Sequence, residues 1–278
     1  MGSFVTKYLK LAWATIFGRP AEKGAEQPTM TTQSPIDIVD EDSANVVALD
    51  PRKVALRFGS APAEIELVHK GANFQVNWSD HTQNVLTLNG KKYYTVQFHF
   101  HAPSTLCFAC LPASHSCSTR AHMCLFVSPC SSVIGEHTVN GNARAMELHL
   151  VHQSEDGDLA VVGVFFREGK ESAFLAQFWD EIASLAPEKH DHVNVGKISG
   201  GADLNSLLKG KIFRYTGSLT TPPYSEGVEW IVVREMLEAS PAQLELYRKF
   251  LPSPNARDVQ KLNGRGVSLC QCTAPMGA

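Results

Sequence analysis

The feature that most constrains this chain is the run Gln97-Phe98-His99-Phe100-His101. In an extended strand, successive side chains point to opposite faces, so His99 and His101 share one face and the two phenylalanines share the other. A second alternating run, Glu147-Leu148-His149-Leu150-Val151-His152, can offer His149 from a neighbouring strand. Three neutral imidazoles that converge on one point suit a zinc ion whose fourth position stays open for water. Alternatively, a His-x-His pair is simply two ordinary strand histidines, and other segments have to decide between these interpretations.

The rest of the chain predicts a mainly β protein with a minor helical part. Short alternating runs predict strands at residues 54–58, 64–68, 74–78 and 85–88, with a hairpin signal at Asn89-Gly90 and a strand buried on both faces at 159–166. Helices are predicted from Glu171 to Leu185 by apolar spacing, and from Ser240-Pro241 to Phe250 by an N-cap and a first-turn proline. We therefore predict a single domain built on a large, mostly antiparallel twisted central sheet with a few peripheral helices.

Length and charge narrow the function classes. A chain of 278 residues can bury one large core, and all-β domains of this size are commonly single. The formal charge of −3, without a basic stripe, does not favour binding to nucleic acid. No apolar run reaches the length needed to span a bilayer.

Several motifs occur in the order found in α-class carbonic anhydrases, and by this resemblance the chain is identified as a member of that family. The motifs are Gln33-Ser34-Pro35-Ile36-Asp37, 98–104, 136–139, 147–152 and 217–223. The stretch 255–265 resembles the family's closing motif, with Asp258 where proline is usual. The resemblance implies a zinc enzyme that converts carbon dioxide and water reversibly into bicarbonate and a proton. We expect the protein to be a monomer, although no sequence feature determines the oligomeric state.

The resemblance also assigns the zinc site. It implies that His99, His101 and His149 bind Zn²⁺. It further implies that the second ring nitrogens of these histidines are held by Gln97, by the backbone carbonyl of Asn255 and by Glu147, respectively. Strand parity agrees for two of these pairs, because Gln97 shares a face with His99 and Glu147 shares one with His149. His152 falls on the opposite face from His149, and we predict a structural role for it.

Catalysis, by the same resemblance, depends on Thr220 and Glu136. The Thr220 hydroxyl is expected to accept a hydrogen bond from the attacking hydroxide and to donate one to Glu136, while its backbone amide orients carbon dioxide. A wall of apolar side chains beside the attacking hydroxide suits a small apolar substrate. The residues that match this pocket are Val151, Val161, Leu219, Thr221, Val228 and Trp230. His137 and His69 are predicted to be ordinary histidines rather than ligands.

One departure from the family concerns proton export. Fast members carry a shuttle histidine at the position of Ala72, within the stretch 70–75. Export of the proton to solvent is fastest through a group whose pKa is near 7. We therefore predict that proton transfer limits turnover, unless His69 or Lys70 serves instead.

A cysteine-rich insertion interrupts the resemblance at about residues 105–135. It holds five of the seven cysteines: Cys107, Cys110, Cys117, Cys124 and Cys130. The Cys107-x-x-Cys110 spacing is typical of metal ligands, so a second zinc knot or a disulfide-stapled lid is one interpretation. The other, which we favour, is a retained intron or a gene-model error, because the composition changes abruptly and the flanks would rejoin cleanly.

The N-terminal segment 1–32 predicts targeting followed by a linker. Its first six residues fit the N-myristoylation pattern, with Gly2 as the candidate lipidation site. Lys7 and Lys10, with apolar residues up to Phe17, are compatible with a basic amphipathic helix on a membrane surface. A secretory signal, an organellar transit segment and an untargeted tail are the alternatives.

Cysteine usage bears on the compartment and completes the domain assignment. The cysteine pair of extracellular relatives is missing, which favours a reducing, intracellular compartment, cytoplasmic or membrane-anchored, over secretion. The predicted domain spans residues 33–268 and is followed by a tail at 269–278.

Two other functions remain open at the level of sequence. One is a non-catalytic carbonic-anhydrase-like binding module, disabled by the insertion or by the missing aromatic-rich segment before Gln33. The other is a zinc hydrolase that acts on esters. Zinc content tests the first, and relative turnover on carbon dioxide and a test ester tests the second.

Overall fold

The computed structural model describes residues 30–40, 54–57, 62–71, 73–79, 81, 84–102, 136–185, 191–199, 204–206, 210–251 and 255–271. Four predictions lie outside these residues: the N-terminal segment with Gly2, the shuttle position Ala72, the cysteine-rich insertion 105–135 and tail residues 272–278. Within the described residues, no helix is both long and apolar enough to cross a membrane.

One large sheet dominates the described residues, as the alternating sequence pattern predicts. Its main path runs through β10 (His192–Ile198), β3 (Ala63–His69), β4 (Phe74–Trp78), β6 (Lys91–His101), β8 (Met146–Ser154), β9 (Leu159–Glu168), β12 (Glu226–Ala239), β11 (Lys211–Ser218) and β13 (Ser268–Gln271). Of two further strands, β5 (Val85–Leu88) pairs with β6 and β2 (Val54–Arg57) pairs with β5. The strands β1 (Asp37–Ile38) and β7 (Thr138–Val139) form a separate parallel pair. Among the described pairs of the large sheet, only β9 and β12 are parallel.

The helical prediction for residues 171–185 is partly wrong. The structure has a short helix α1 (Ala173–Ala176) and then a 3₁₀ helix (Trp179–Ser184) instead of one continuous helix. Phe178, with φ −147°, leaves the helical region between them. The broken path still buries Phe174 and Ile182, so the apolar spacing correctly predicted which side chains are inside.

The second predicted helix, α2 (Pro241–Phe250), is confirmed with its cap. The Ser240 hydroxyl accepts the backbone N–H of Gln243 at 3.2 Å, and the Gln243 side chain accepts the backbone N–H of Ser240 at 3.1 Å. These two bonds form a capping box, which satisfies N–H groups that the first turn leaves unpaired.

The core covers one face of β6, the strand that carries two of the candidate ligands. Phe98 and Phe100 are fully buried in the larger apolar cluster, as their parity predicts. Full burial of each contributes roughly 1.5–3 kcal/mol to stability. The Tyr247 hydroxyl on α2 donates to the Phe100 carbonyl at 2.5 Å. These contacts fix the orientation of β6, so that His99 and His101 on its opposite face point in one defined direction.

Candidate metal centre and active site

Three histidines converge on one face of the sheet because of the strand register. His99 and His101 lie two residues apart on β6, and His149 on β8 is the cross-strand partner of His99. All three are buried, and one ring nitrogen of each lies within 4.8 Å of the others. The structure therefore brings together the three residues that the alternating runs predict.

The outer nitrogen of each ring has a hydrogen-bond acceptor. His99 Nδ1 lies 2.9 Å from Gln97 Oε1, and His149 Nε2 lies 3.0 Å from Glu147 Oε1. His101 Nδ1 lies 2.6 Å from the backbone oxygen of Asn255. These are the three contacts expected from the sequence. They leave Nε2 of His99, Nε2 of His101 and Nδ1 of His149 as the inner nitrogens.

Burial keeps the three imidazoles neutral. Desolvation, together with the neighbouring histidines, lowers the pKa of His99 well below its usual value, and it lowers the pKa of His101 to about 3. Desolvation also lowers the pKa of His149, although Glu147 acts in the opposite direction. Neutral rings present lone pairs at neutral pH, as a metal site requires.

Glu147 is the centre of a buried network that the sequence reasoning missed. Its Oε1 accepts from His137 Nδ1 at 2.7 Å as well as from His149, and its Oε2 accepts the backbone N–H of His137 at 2.8 Å. Burial alone would raise the pKa of Glu147, but the interactions with His137 and His149 hold it well below its usual range. His137 Nε2 lies 2.6 Å from the Tyr215 hydroxyl, which lies 2.9 Å from Ser34 Oγ.

His137, Glu147 and His149 also form a compact cluster, but their facing atoms are already engaged with one another. All three facing atoms lie within 4.8 Å of one another, and Glu147 Oε1 is shared by both rings. The position of His137 is that of a residue that orients the Glu147 carboxylate, which in turn contacts His149. The signal that could have identified it is its place beside Glu136 in the matched motif 136–139.

Gly163 makes room for this carboxylate. It is the cross-strand partner of His149 on β9, and a Cβ built on it would lie 3.0 Å from Glu147 Oε1. Any side chain at this position would compete with Glu147 for the space behind His149. The glycine within an otherwise apolar strand is therefore explained by close approach.

Glu136 lies beside the histidines, and its carboxylate is fully buried. Its Oε1 accepts the backbone N–H of Arg257 at 3.1 Å, and Oε2 has no hydrogen-bond partner among the described residues. Burial raises the pKa of Glu136 well above its usual value, while an interaction with the Thr220 hydroxyl acts to lower it. Glu136 and Thr220 thus face each other.

A cavity of ≈ 260 Å³ opens over His99 and His149. Five of the six predicted pocket residues line it: Val151, Val161, Leu219, Thr221 and Trp230. Thr220 lines it as well, together with Lys70, Asn73, Gln75 and Val96, which give the cavity an additional, partly polar side that the sequence reasoning did not identify.

Val228, the sixth predicted pocket residue, is buried and is not among the residues that line this cavity. Trp230 points to the same face of β12, and its ring lies 4.9 Å from that of His149. The indole therefore occupies the position against the histidines, and Val228 packs within the smaller apolar cluster.

Comparison with known proteins agrees with this geometry. The family model described as eukaryotic-type carbonic anhydrase matches residues 121–271. Alpha carbonic anhydrase 3 of Arabidopsis thaliana is 34% identical over 220 residues, which cover 77% of this chain and 66% of the relative. A carbonic anhydrase of Klebsiella pneumoniae is 34% identical over 237 residues, 84% of this chain and 78% of the relative.

A solved structure shows the same similarity in three dimensions. It is the complex of the alpha-carbonic anhydrase from Thermovibrio ammonificans with the inhibitor sulfanilamide. The TM-score is 0.63 at 32% identity, and the match covers 87% of each chain. The similarity extends over the large mixed sheet with few helices that positions the histidine cluster.

Proposed function

The chain belongs to the eukaryotic-type carbonic anhydrases, lyases that hydrate carbon dioxide, and we propose that it does so with a zinc ion held by His99, His101 and His149. The observation that carries this proposal is the buried triad, in which each outer nitrogen is held and each inner nitrogen faces the other two. The reaction combines carbon dioxide with water and yields bicarbonate and a proton.

The residues present fit zinc. Three imidazole ligands and an open fourth position are typical of catalytic zinc sites. His101 Nε2 is buried and has no hydrogen-bond partner among the described residues, which is unfavourable unless a cation binds it. When bound, zinc lowers the pKa of a coordinated water from about 15.7 to about 7, a value for which carbonic anhydrase itself is the standard example.

The outer contacts of the histidines support the proposed site. Hydrogen bonds to the second ring nitrogen fix the tautomer and the orientation of a ligating histidine, and their loss typically costs about 10–100-fold in metal affinity or activity. In this chain Gln97, Glu147 and the Asn255 carbonyl supply them. We assign to these residues the task of presenting the inner nitrogens to the ion.

We assign the orientation of the attacking water to Thr220 and Glu136. The Thr220 hydroxyl would accept a hydrogen bond from the water and donate its own proton toward the Glu136 carboxylate, which leaves a water lone pair directed at the substrate. Burial alone favours neutral Glu136, but a positive charge at the triad would favour the ionised form that this role needs.

The shape of the cavity supports carbon dioxide as the substrate. Val151, Val161 and Leu219 form an apolar wall beside the triad, and this wall would disfavour water at the place where a small linear molecule would lie. At ≈ 260 Å³ the cavity is smaller than the roughly 300–1,000 Å³ of sites that enclose larger ligands. Ester hydrolysis is therefore expected only as a weaker side reaction.

The decisive experiment is stopped-flow hydration of carbon dioxide, with zinc content, on the full chain and on a version without residues 105–135. We expect one zinc per chain and activity that a chelator removes and added zinc restores. Equal activity in both versions would identify the insertion as a tolerated surface segment, since loop length adds little closure entropy. A fully zinc-loaded protein that is inactive in both versions would instead be a non-catalytic binding module.

Turnover is expected to depend on the buffer, because Ala72 stands where the family's shuttle histidine is usual. Positioned acid–base groups contribute about 10²–10⁴-fold to proton-transfer steps. We expect small imidazole buffers to raise kcat by about tenfold or more, with saturation, and to leave kcat/KM unchanged.

The matched variant is Ala72→His, which should raise kcat in a non-transferring buffer and flatten the response to imidazole. A rate that is flat with buffer concentration in the unsubstituted chain would contradict this prediction. It would mean either that another group, His69 or Lys70, exports the proton or that chemistry is limiting.

A further inference from the structure

The Arg257 side chain lies where three distant segments meet. Its Nη1 donates to Gln33 Oε1 at 3.0 Å and to the Ser34 carbonyl at 2.7 Å. Its guanidinium carbon lies 4.0 Å from the ring centroid of Tyr224, a distance typical of a close cation–π contact. Arg257 thus joins the start of the described domain to the turn that follows Thr220.

The backbone around Arg257 reaches the active site. The Arg257 N–H donates to Glu136 Oε1 at 3.1 Å, and the carbonyl of Asn255 accepts from His101. The Asn255 side chain also accepts the backbone N–H of Ala102 at 3.0 Å. A stretch of three residues therefore contacts both a candidate zinc ligand and the carboxylate of the proposed gate.

The turn on the other side of Arg257 carries Thr220 and Thr221. The Tyr224 N–H donates to the Thr221 carbonyl at 2.9 Å, which closes the turn. Tyr224 has φ +60°, a left-handed conformation that a bulky side chain rarely adopts and that the surroundings must maintain. Gln33 Nε2 donates to the Tyr224 carbonyl at 3.2 Å, and the Arg257 guanidinium covers its ring.

We propose that Arg257 is a positioning residue that sets the placement of Glu136 relative to Thr220. This inference rests on the proposed function, because it concerns the pair that orients the attacking water. Glu136 and Thr220 are far apart in sequence, and Arg257 contacts both Glu136 and the turn that follows Thr220. Its backbone N–H holds the carboxylate, and its side chain packs on the turn that carries the hydroxyl.

The size of the expected effect follows from geometry. Misplacing a reacting group by about 1 Å can cost about 10²-fold in rate. Loss of the Arg257 side chain leaves Glu136 its backbone N–H donor. It also removes the side-chain contacts with Gln33, Ser34 and Tyr224 that fix where this donor lies. We therefore expect Arg257→Gln to lower kcat/KM by about 10–100-fold, mainly through kcat, and to weaken zinc binding through the Asn255 contact with His101 by roughly tenfold.

Arg265→Gln is the matched control. Arg265 ties the same corner together, since its Nη2 donates to the Gln33 carbonyl at 2.7 Å and its Nη1 donates to the Thr216 carbonyl at 3.1 Å. None of its contacts among the described residues reaches Glu136, Asn255 or Tyr224. We expect a comparable loss in the midpoint of thermal unfolding, with kcat/KM and zinc affinity changed by less than about threefold, a range that corresponds to under one kcal/mol.

Arg257→Lys separates the charge from the planar group. Lysine keeps the positive charge and can donate to Ser34, but it cannot reproduce the forked donors and the stacked contact. We expect it to recover part of the zinc affinity and only a small part of kcat. All variants should be compared by stopped-flow hydration, by chelator competition for zinc and by thermal unfolding on the full chain.

Two outcomes would overturn the proposal. One is equal loss of kcat/KM and zinc affinity in Arg257→Gln and Arg265→Gln, which would make Arg257 merely structural. The other is a lower midpoint of thermal unfolding in Arg257→Gln without any change in kcat/KM or zinc affinity. Failure of the proposed function would look different: the unsubstituted chain would bind zinc without hydrating carbon dioxide, and the contrast in zinc affinity between the two arginine variants would remain measurable.

Discussion

Replacing His149 with alanine is expected to abolish the activity and to release the metal. In the proposed site the imidazole supplies one of three protein ligands, so its removal should cost more than the loss of an outer contact, which costs about 10–100-fold. We expect zinc affinity to fall by more than about 100-fold and hydration to fall to near the uncatalysed rate. Metal analysis after dialysis, chelator competition and stopped-flow hydration measure these effects.

His152→Ala is the control on the same strand. His152 is also buried, but it points to the opposite face, and its Nδ1 lies 2.9 Å from the Leu150 carbonyl. Its loss leaves a cavity and should reduce the unfolding midpoint, while zinc remains bound. Stoichiometric zinc in purified His149→Ala would refute the assignment of this residue as a ligand.

The alternation of side chains between the two faces of β6 and β8 explains how much of the histidine site could be predicted from the sequence. The parity of Phe98 and His99 determines which side chains are buried in the core and which face the cavity, and the register of β6 and β8 then places His149 opposite His99. Parity also places Gln97 and Glu147 beside their histidines. Such short-range relations depend only on the pleat of the strand, and they are readable from sequence alone.

Contacts between distant segments could not be predicted in the same way. The Tyr215 hydroxyl meets His137 across 78 positions, and Arg257 meets Gln33 across 224. No periodic pattern relates such residues, so their partners follow only from the assembled sheet. The helix predicted for residues 171–185 failed for a related reason, because burial of its apolar residues against the sheet overrides local helical propensity.

Thr220→Val is expected to separate metal binding from catalysis. Valine keeps the branched shape but removes the hydroxyl that faces Glu136, so the attacking water loses its acceptor and the carboxylate loses a donor. Loss of one pre-oriented hydrogen-bonding group at a reacting centre typically costs about 10²–10³-fold in kcat. We expect a decrease of that size in carbon dioxide hydration, with zinc content unchanged.

Thr221→Val tests whether the effect belongs to this hydroxyl. Thr221 lies in the same turn and lines the same cavity, but no hydrogen bond among the described residues joins it to Glu136. We expect less than about a tenfold loss from this substitution, because it changes the pocket wall and leaves the gate pair intact. Equal losses in the two variants would mean that the turn contributes general polarity rather than a specific hydrogen bond. Loss of zinc in Thr220→Val would instead show that the hydroxyl supports the metal site, which would remove the reason for treating Glu136 and Thr220 as an orienting pair.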